Sequence, residues 1–263
     1  MKKYFLIFSF FLLSFSVFAQ NSDSIISKTE KDQFLSQENE ILMLLFDGIE
    51  ITNKHNQKQV KWKPNFYESK QFPSSDDDFS YTQLDTIFFY TEYKDKKAVA
   101  IFATYAYENN RVINCHSCGP NISVATFKYD EKLREWKVDK FDKFYGTHGN
   151  WGGIHPMKFK KIGANKHAIL FHSGFTHMGV DDSWTTIYDL YWMKNLKTIR
   201  TYYDNSSYYP ENEKDKIVII DKKIEFEKSE KEYYDLIITE KVKNSTNVKV
   251  FEYKNIEGYV LKE

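Results

Sequence analysis

The chain reads as a mainly β protein: an antiparallel meander forming a sandwich, a barrel or a propeller-like sheet set, with one N-terminal amphipathic helix. Three observations predict this. From Tyr81 onward, short apolar and aromatic runs alternate with short charged turns such as Lys94-Asp95-Lys96-Lys97. Turns this short make neighbouring strands antiparallel, because a parallel crossover needs a dozen or more residues. The chain also carries 22 Phe, 19 Tyr and 5 Trp, which β structure favours.

The first nineteen residues read as a cleavable secretory signal peptide. Lys2 and Lys3 precede an apolar stretch from Tyr4 to Phe18, and Val17-Phe18-Ala19 supplies small or apolar residues before the expected cleavage. The apolar run is shorter than the roughly twenty residues that span a bilayer. The expectation is therefore a secreted or periplasmic product with no transmembrane anchor after cleavage. The chain holds 37 basic and 37 acidic residues, so loss of Lys2 and Lys3 leaves 35 against 37, a formal charge of −2. With both signs mixed along the chain, nucleic acid is a poor partner, since phosphate binding needs a concentrated basic surface.

Residues 20–32 are polar and read as a disordered lead-in, followed by a single β-rich domain over 33–263 with a possible small C-terminal subdomain from about residue 210. Phe34, Leu35, Glu38, Ile41, Leu42, Leu45 and Phe46 recur at the helical period, and Gly48 is a credible stop. From Asn53 to Phe79 the chain reads as a polar excursion with room for one short strand. Its Asp76-Asp77-Asp78 run lacks the alternating oxygen ligands and glycine of a calcium loop. Strands are then expected over 86–93, 98–107, 121–129, 136–144, 167–172, 184–193, 196–203, 216–220, 233–242, 248–253 and 259–261. The hairpins share no fixed period, so no repeat architecture is expected.

Both cysteines fall in Asn114-Cys115-His116-Ser117-Cys118-Gly119-Pro120, a turn between two strands. Covalent haem needs a histidine where Gly119 stands. A thioredoxin-type thiolate draws on a following helix N-terminus, and here a strand follows. A closed zinc site needs four ligands, and histidines would have to complete it. The favoured reading is a structural disulfide, Cys115–Cys118, formed in an oxidising compartment and contributing roughly 2 kcal/mol through so small a loop. Metal binding and thiol–disulfide exchange stand as the alternatives.

This stretch, through Asn121-Ile122, followed by Val124-Ala125-Thr126-Phe127, the Trp136 hairpin and Gly149-Asn150-Trp151-Gly152, resembles an uncharacterised family of secreted bacterial proteins. These share a Cys-His-x-Cys-x-Pro segment before a β-hairpin. The resemblance covers roughly residues 111–192. It implies a module and no particular activity, and it draws attention to His116, whose plainer role is to cap the turn.

Seven of the ten glycines and five of the seven histidines lie between Gly146 and Gly179. Glycine permits left-handed backbone and close approach, and imidazole supplies metal ligands or proton transfer near neutral pH. His148 and His155 bracket Asn150-Trp151-Gly152-Gly153, while His172 and His177 bracket Ser173-Gly174-Phe175-Thr176, with Asp181 and Asp182 beyond. Convergence of His148, His172, His177 and Asp181 would suit a hydrolytic metal site. No H-E-x-x-H, G-x-S-x-G or phosphate-loop signature accompanies them. The leading expectation is thus a non-catalytic binding or cell-envelope interaction module without a resident cofactor. Its partner would be a small molecule, a glycan or an envelope protein. A metal-dependent hydrolase and a thiol redox protein are the alternatives.

Overall fold

In a computed structural model the chain is described over residues 26–53, 57–72, 75–109, 111–113, 115, 118–243 and 245–262. The expected signal peptide, the start of the expected lead-in and His116 lie outside the described residues. Ser27 opens helix α1 (Lys28–Ser36) with a capping box, its hydroxyl accepting from Glu30 N while the Glu30 carboxylate accepts from Ser27 N. Helix α2 (Glu38–Phe46) follows after Gln37, so two helices stand where periodicity predicts one, and the first begins inside the expected lead-in. The left-handed residue that ends α2 is Asp47, φ 50°, rather than Gly48. Gly48 meets a different need: a Cβ there would lie 2.5 Å from Val60 Cγ1 and 2.6 Å from Lys61 O.

All ladders are antiparallel. The first sheet runs β1 (Ile49–Thr52), β2 (Lys58–Trp62), β3 (Ser80–Glu92), β4 (Asp95–Tyr105), β7 (Asn121–Asp130), β8 (Glu135–Thr147), and a small ribbon pairs β5 (Tyr107–Glu108) with β6 (Arg111–Val112). The second sheet runs in chain order from β9 (Met157–Lys161) through β10 (His167–His177), β11 (Val180–Asp189), β12 (Lys194–Asp204), β13 (Ile219–Glu227), β14 (Asp235–Val242) and β15 (Ser245–Lys254) to β16 (Gly258–Leu261). Both sheets are open, and no closed barrel forms among the described residues. The one short strand allowed in the excursion after Asn53 is β2; against expectation, β9 is an additional strand, and the strand expected at 216–220 lies at Ile219–Glu227 behind a 3₁₀ turn.

Strand alternation explains the stacking. On β4, Ala98, Ala100 and Phe102 face the helices, while Val99, Ile101 and Ala103 face the second sheet. The unbroken apolar run of β4 is therefore the mark of a strand covered on both sides. Phe34 anchors the helix layer, its ring edge-on to Phe89, Phe127 and Trp136 at 5.9, 4.9 and 5.7 Å. On β10, Ile169 and Phe171 face the first sheet, and Ala168 and Leu170 face a third core built with Leu236, Ile238 and Tyr259. That core forms because β12 and β13 share only three register pairs, Tyr202–Asp221 to Asp204–Ile219, and then splay apart. At the far side Gly258 lies so close to Leu196 that a Cβ would sit 2.3 Å from its carbonyl oxygen. Residues after about 210 accordingly share a core with the strands before them.

Candidate functional site

The β7–β8 hairpin brings the cysteine turn and the glycine-rich loop to one end of the first sheet. Asn121 begins β7 opposite Thr147, which ends β8, so the segments preceding and following the hairpin emerge side by side. Cys115 and Cys118 are disulfide-bonded, with Cα atoms 4.9 Å apart, and Cys118 N donates to Cys115 O at 3.0 Å. The turn docks on the loop through backbone hydrogen bonds: Trp151 N to Cys115 O at 3.0 Å, Gly152 N to Cys118 O at 2.6 Å, and His148 N to Pro120 O at 3.1 Å. Gly119 permits the approach, since a Cβ there would lie 2.7 Å from Gly149 O. Gly149 has φ +111°, and a Cβ would stand 1.9 Å from Gly153 O, so this loop closes only with glycine. Asn150 Nδ2 ties the loop to the β10–β11 hairpin by donating to Gly174 O at 3.3 Å.

Beneath the turn lies a cleft of about 370 Å³, lined by Cys118, Gly119, Pro120 and Gly152 on one side and by Phe72, Tyr105, Ala106 and Val112 on others. Thr104, Asn121 and Thr147 line it too, in register across three strands on the face that carries Phe102. Thr147 Oγ1 donates to Asn121 Oδ1 at 2.9 Å, and Asn121 Nδ2 donates to Gln71 O at 2.8 Å. Thr104 and Thr82 share a hydroxyl hydrogen bond of 2.8 Å, and Trp62 Nε1 donates to Thr82 Oγ1 at 2.8 Å. The floor is neutral, made of hydroxyls and an amide already oriented by partners. Lys70, at the rim, holds its ammonium 4.6 Å from the Phe66 ring centre.

The histidines are arranged otherwise than the sequence suggests. His148 is buried, its ring 5.1 Å from Phe171 and 5.9 Å from His155. Burial holds its pKa down to about 4, the His155 and His172 imidazoles add to this, and a hydrogen bond to the His155 backbone opposes it. Its Nε2 has no partner among the described residues. His172 pairs through Nδ1 with Thr185 Oγ1 at 2.8 Å, and burial lowers its pKa also, with Lys158 adding to the effect. His167 stacks on Phe159 at 5.2 Å and is held down to about 3 by burial, with Lys161 and Lys97 adding to it.

The candidate set His148, His172, His177 and Asp181 does not converge. His172 shares the face of β10 that carries Ala168 and Leu170, whereas His148 packs on Phe171 from the opposite side. His177 lies five residues beyond His172, about 16 Å along the strand at 3.3 Å per residue and on the other face. Asp181 pairs with Thr176, on the face His177 leaves. Among the described residues no group of three or more His, Cys, Asp or Glu side chains is placed to hold a metal ion. Asp182 forms an ion pair with Arg200 at 2.9 Å. The cleft residues Thr104 and Asn121 went unnoticed in the sequence. The available signal was a polar residue closing the apolar run of Ala98 to Ala103 and another opening the strand Asn121–Asp130.

No protein-family model, curated protein or solved structure matches the chain. Among the described residues no helix is long and apolar enough to cross a membrane.

Proposed function

We propose that the chain is an exported, non-catalytic binding module, and that the cleft under the disulfide turn is its recognition site. The observation that carries this reading is the neutral polar floor of that cleft. Its volume of about 370 Å³ falls in the usual range for small-molecule sites. Thr147 offers a hydroxyl at the exposed mouth, held by Asn121, which lies buried behind it beside Thr104, while Phe72 and Tyr105 supply apolar wall. Such a floor suits a neutral, hydroxyl-bearing ligand, of which a glycan unit is the simplest member. Among the described lining residues an anion would find one cation, Lys70, whose charge already faces Phe66. The buried imidazoles of His148 and His167 pack against Phe171 and Phe159, and no metal-holding group forms among the described residues.

Calorimetric titration of the mature protein with a panel of neutral mono- and disaccharides tests this reading. Val112→Trp, which fills the cleft from a half-buried position, weakens binding by at least about tenfold, or ~1.4 kcal/mol. Absence of binding across the panel, or equal binding by the variant, overturns the assignment. The intact mass of the exported protein checks cleavage after Ala19 in the same preparation.

A further inference from the structure

We propose that the outer end of the β10–β11–β12 face is a second carbohydrate site, an aromatic shelf that takes a neutral oligosaccharide independently of the cleft. The alternation that turns Ile169 and Phe171 toward the first sheet carries on to Ser173 and Phe175. At Phe171 that face is covered, with the Tyr145 ring of β8 stacked on it at 4.2 Å. Beyond this cover Phe175 is 43 % exposed. Register sets Trp184 opposite Ser173 and Arg200 opposite Trp184, so adjacent strands present Phe175, Trp184 and Arg200 on one side. None of these side chains lines the cleft.

The shelf is held in place by its own contacts. Phe175 and Trp184 have ring centres 5.5 Å apart and planes 33° from parallel, and together offer one broad π surface. The Arg200 guanidinium stands 5.8 Å from the Trp184 ring centre and 5.0 Å from that of Tyr203. Its Nη2 pairs with Asp182 Oδ2 at 2.9 Å, while the arginine side chain remains 46 % exposed. Asp182 is buried, and its Oδ1 has no partner among the described residues. A displaced guanidinium would therefore strand a buried carboxylate, which fixes Arg200 at the edge of the shelf. Arginine carries several N–H donors in a rigid fork, so the contact through Nη2 leaves others for a ligand. On the same face the exposed Thr186 and Thr198 hydroxyls share a hydrogen bond of 3.0 Å.

This make-up selects the ligand. A pyranose ring has an apolar C–H face that lies on aromatic rings and a hydroxyl edge that accepts from a guanidinium and from threonine hydroxyls. The Arg200–Asp182 pair carries no net charge, which favours a neutral sugar over an anion. From β10 to β12 the shelf spans about 10 Å at the usual strand spacing, which suits linked pyranose rings better than a single one.

Two-dimensional NMR of the mature protein reads the shelf through the indole N–H resonances of its five tryptophans, with Trp184 assigned by its loss in Trp184→Phe. Titration with cellohexaose, maltohexaose, xylohexaose and chitohexaose should give a saturable shift of the Trp184 signal with at least one of them. Phe175→Ala, at an exposed position, should weaken that titration by about tenfold or more with the melting temperature unchanged. Arg200→Lys, which keeps the ion pair and loses the planar fork, should weaken it as well. Val112→Trp, which fills the cleft, should leave it as it is. A Trp184 signal silent toward every hexasaccharide, or unchanged affinity in both Phe175→Ala and Arg200→Lys, overturns the shelf. Loss of the Trp184 response in Val112→Trp overturns it too, because the sugar is then held by the cleft. A Trp184 response beside a cleft that binds nothing supports the shelf and sinks the cleft assignment alone.

Discussion

Replacing His148 with glutamine should flatten the acid limb of the stability curve. The imidazole of His148 is buried at 3 % exposure, and its pKa falls from 6.5 to about 4. Below pH 6.5 the unfolded chain binds a proton there that the folded protein refuses. The stabilisation from keeping this ring neutral is therefore complete above the unfolded pKa, declines as pH falls through the window from 6.5 to about 4, and levels off below it. At ~1.4 kcal/mol per pH unit, the whole window is worth about 3 kcal/mol. Carboxylates held low by their partners, such as Glu30 and Asp235, titrate beneath most of this range. Glu38, Asp85 and Asp189 are raised and run in the opposite sense, and His167 runs in the same sense, but all are common to both proteins. Urea unfolding at several pH values between about 7 and about 4.5 should show the wild type losing stability more steeply than His148→Gln, by about 1 kcal/mol per pH unit in mid-window. Parallel curves for the two proteins would refute the assignment of a neutral buried imidazole. A lower but parallel variant curve would show that His148 contributes packing alone.

Other consequences follow from packing. Gly149→Ala, with positive φ and backbone 1.9 Å from the new Cβ, should cost more than about 2 kcal/mol and disorder the loop. Gly153→Ala, whose nearest atom is 3.6 Å away, should change the melting temperature little; equal effects would contradict the loop geometry. Phe34→Ala should cost about 3–5 kcal/mol in chemical denaturation, because three aromatic partners lose their shared neighbour. Tyr233→Phe removes the 2.8 Å hydrogen bond to the buried Asp189 carboxylate while keeping the ring stacked 3.7 Å from Tyr253. A loss of about 2 kcal/mol is expected, and a loss below about 0.5 kcal/mol would mean that water replaces the hydroxyl.

Much of the architecture was legible from alternating runs and short turns, because those features act locally. Strands such as Asn121–Asp130 are marked by their own residues. Strand β9 was not, since Met157-Lys-Phe-Lys-Lys reads as a charged linker until Phe159 is seen stacked on Phe88 at 5.5 Å. The short strand allowed in the excursion after Asn53 could not be placed, because the apolar side of β2, Val60 and Trp62, is brief and makes sense only against α2. The docking of the cysteine turn on the glycine loop was within reach: the two segments flank one predicted hairpin, so they must leave it from the same end. The histidine grouping misled for a reason also present in the sequence. His172 and His177 stand five positions apart on one strand, an odd step that sends them to opposite faces.

The three apolar cores follow one another along the chain. The helix-side core draws on residues from Ile26 to Phe144, the middle core on Phe88 to Met193, and the last on Ile162 to Tyr259. A chain that emerges from its N-terminus thus delivers the last residue of each core in turn, Phe144 before Met193 and Met193 before Tyr259. Each finished sheet face then serves as the template on which the following strands condense. Assembly becomes vectorial, and the final strands, from Ile219 onward, act as the lid that ends it.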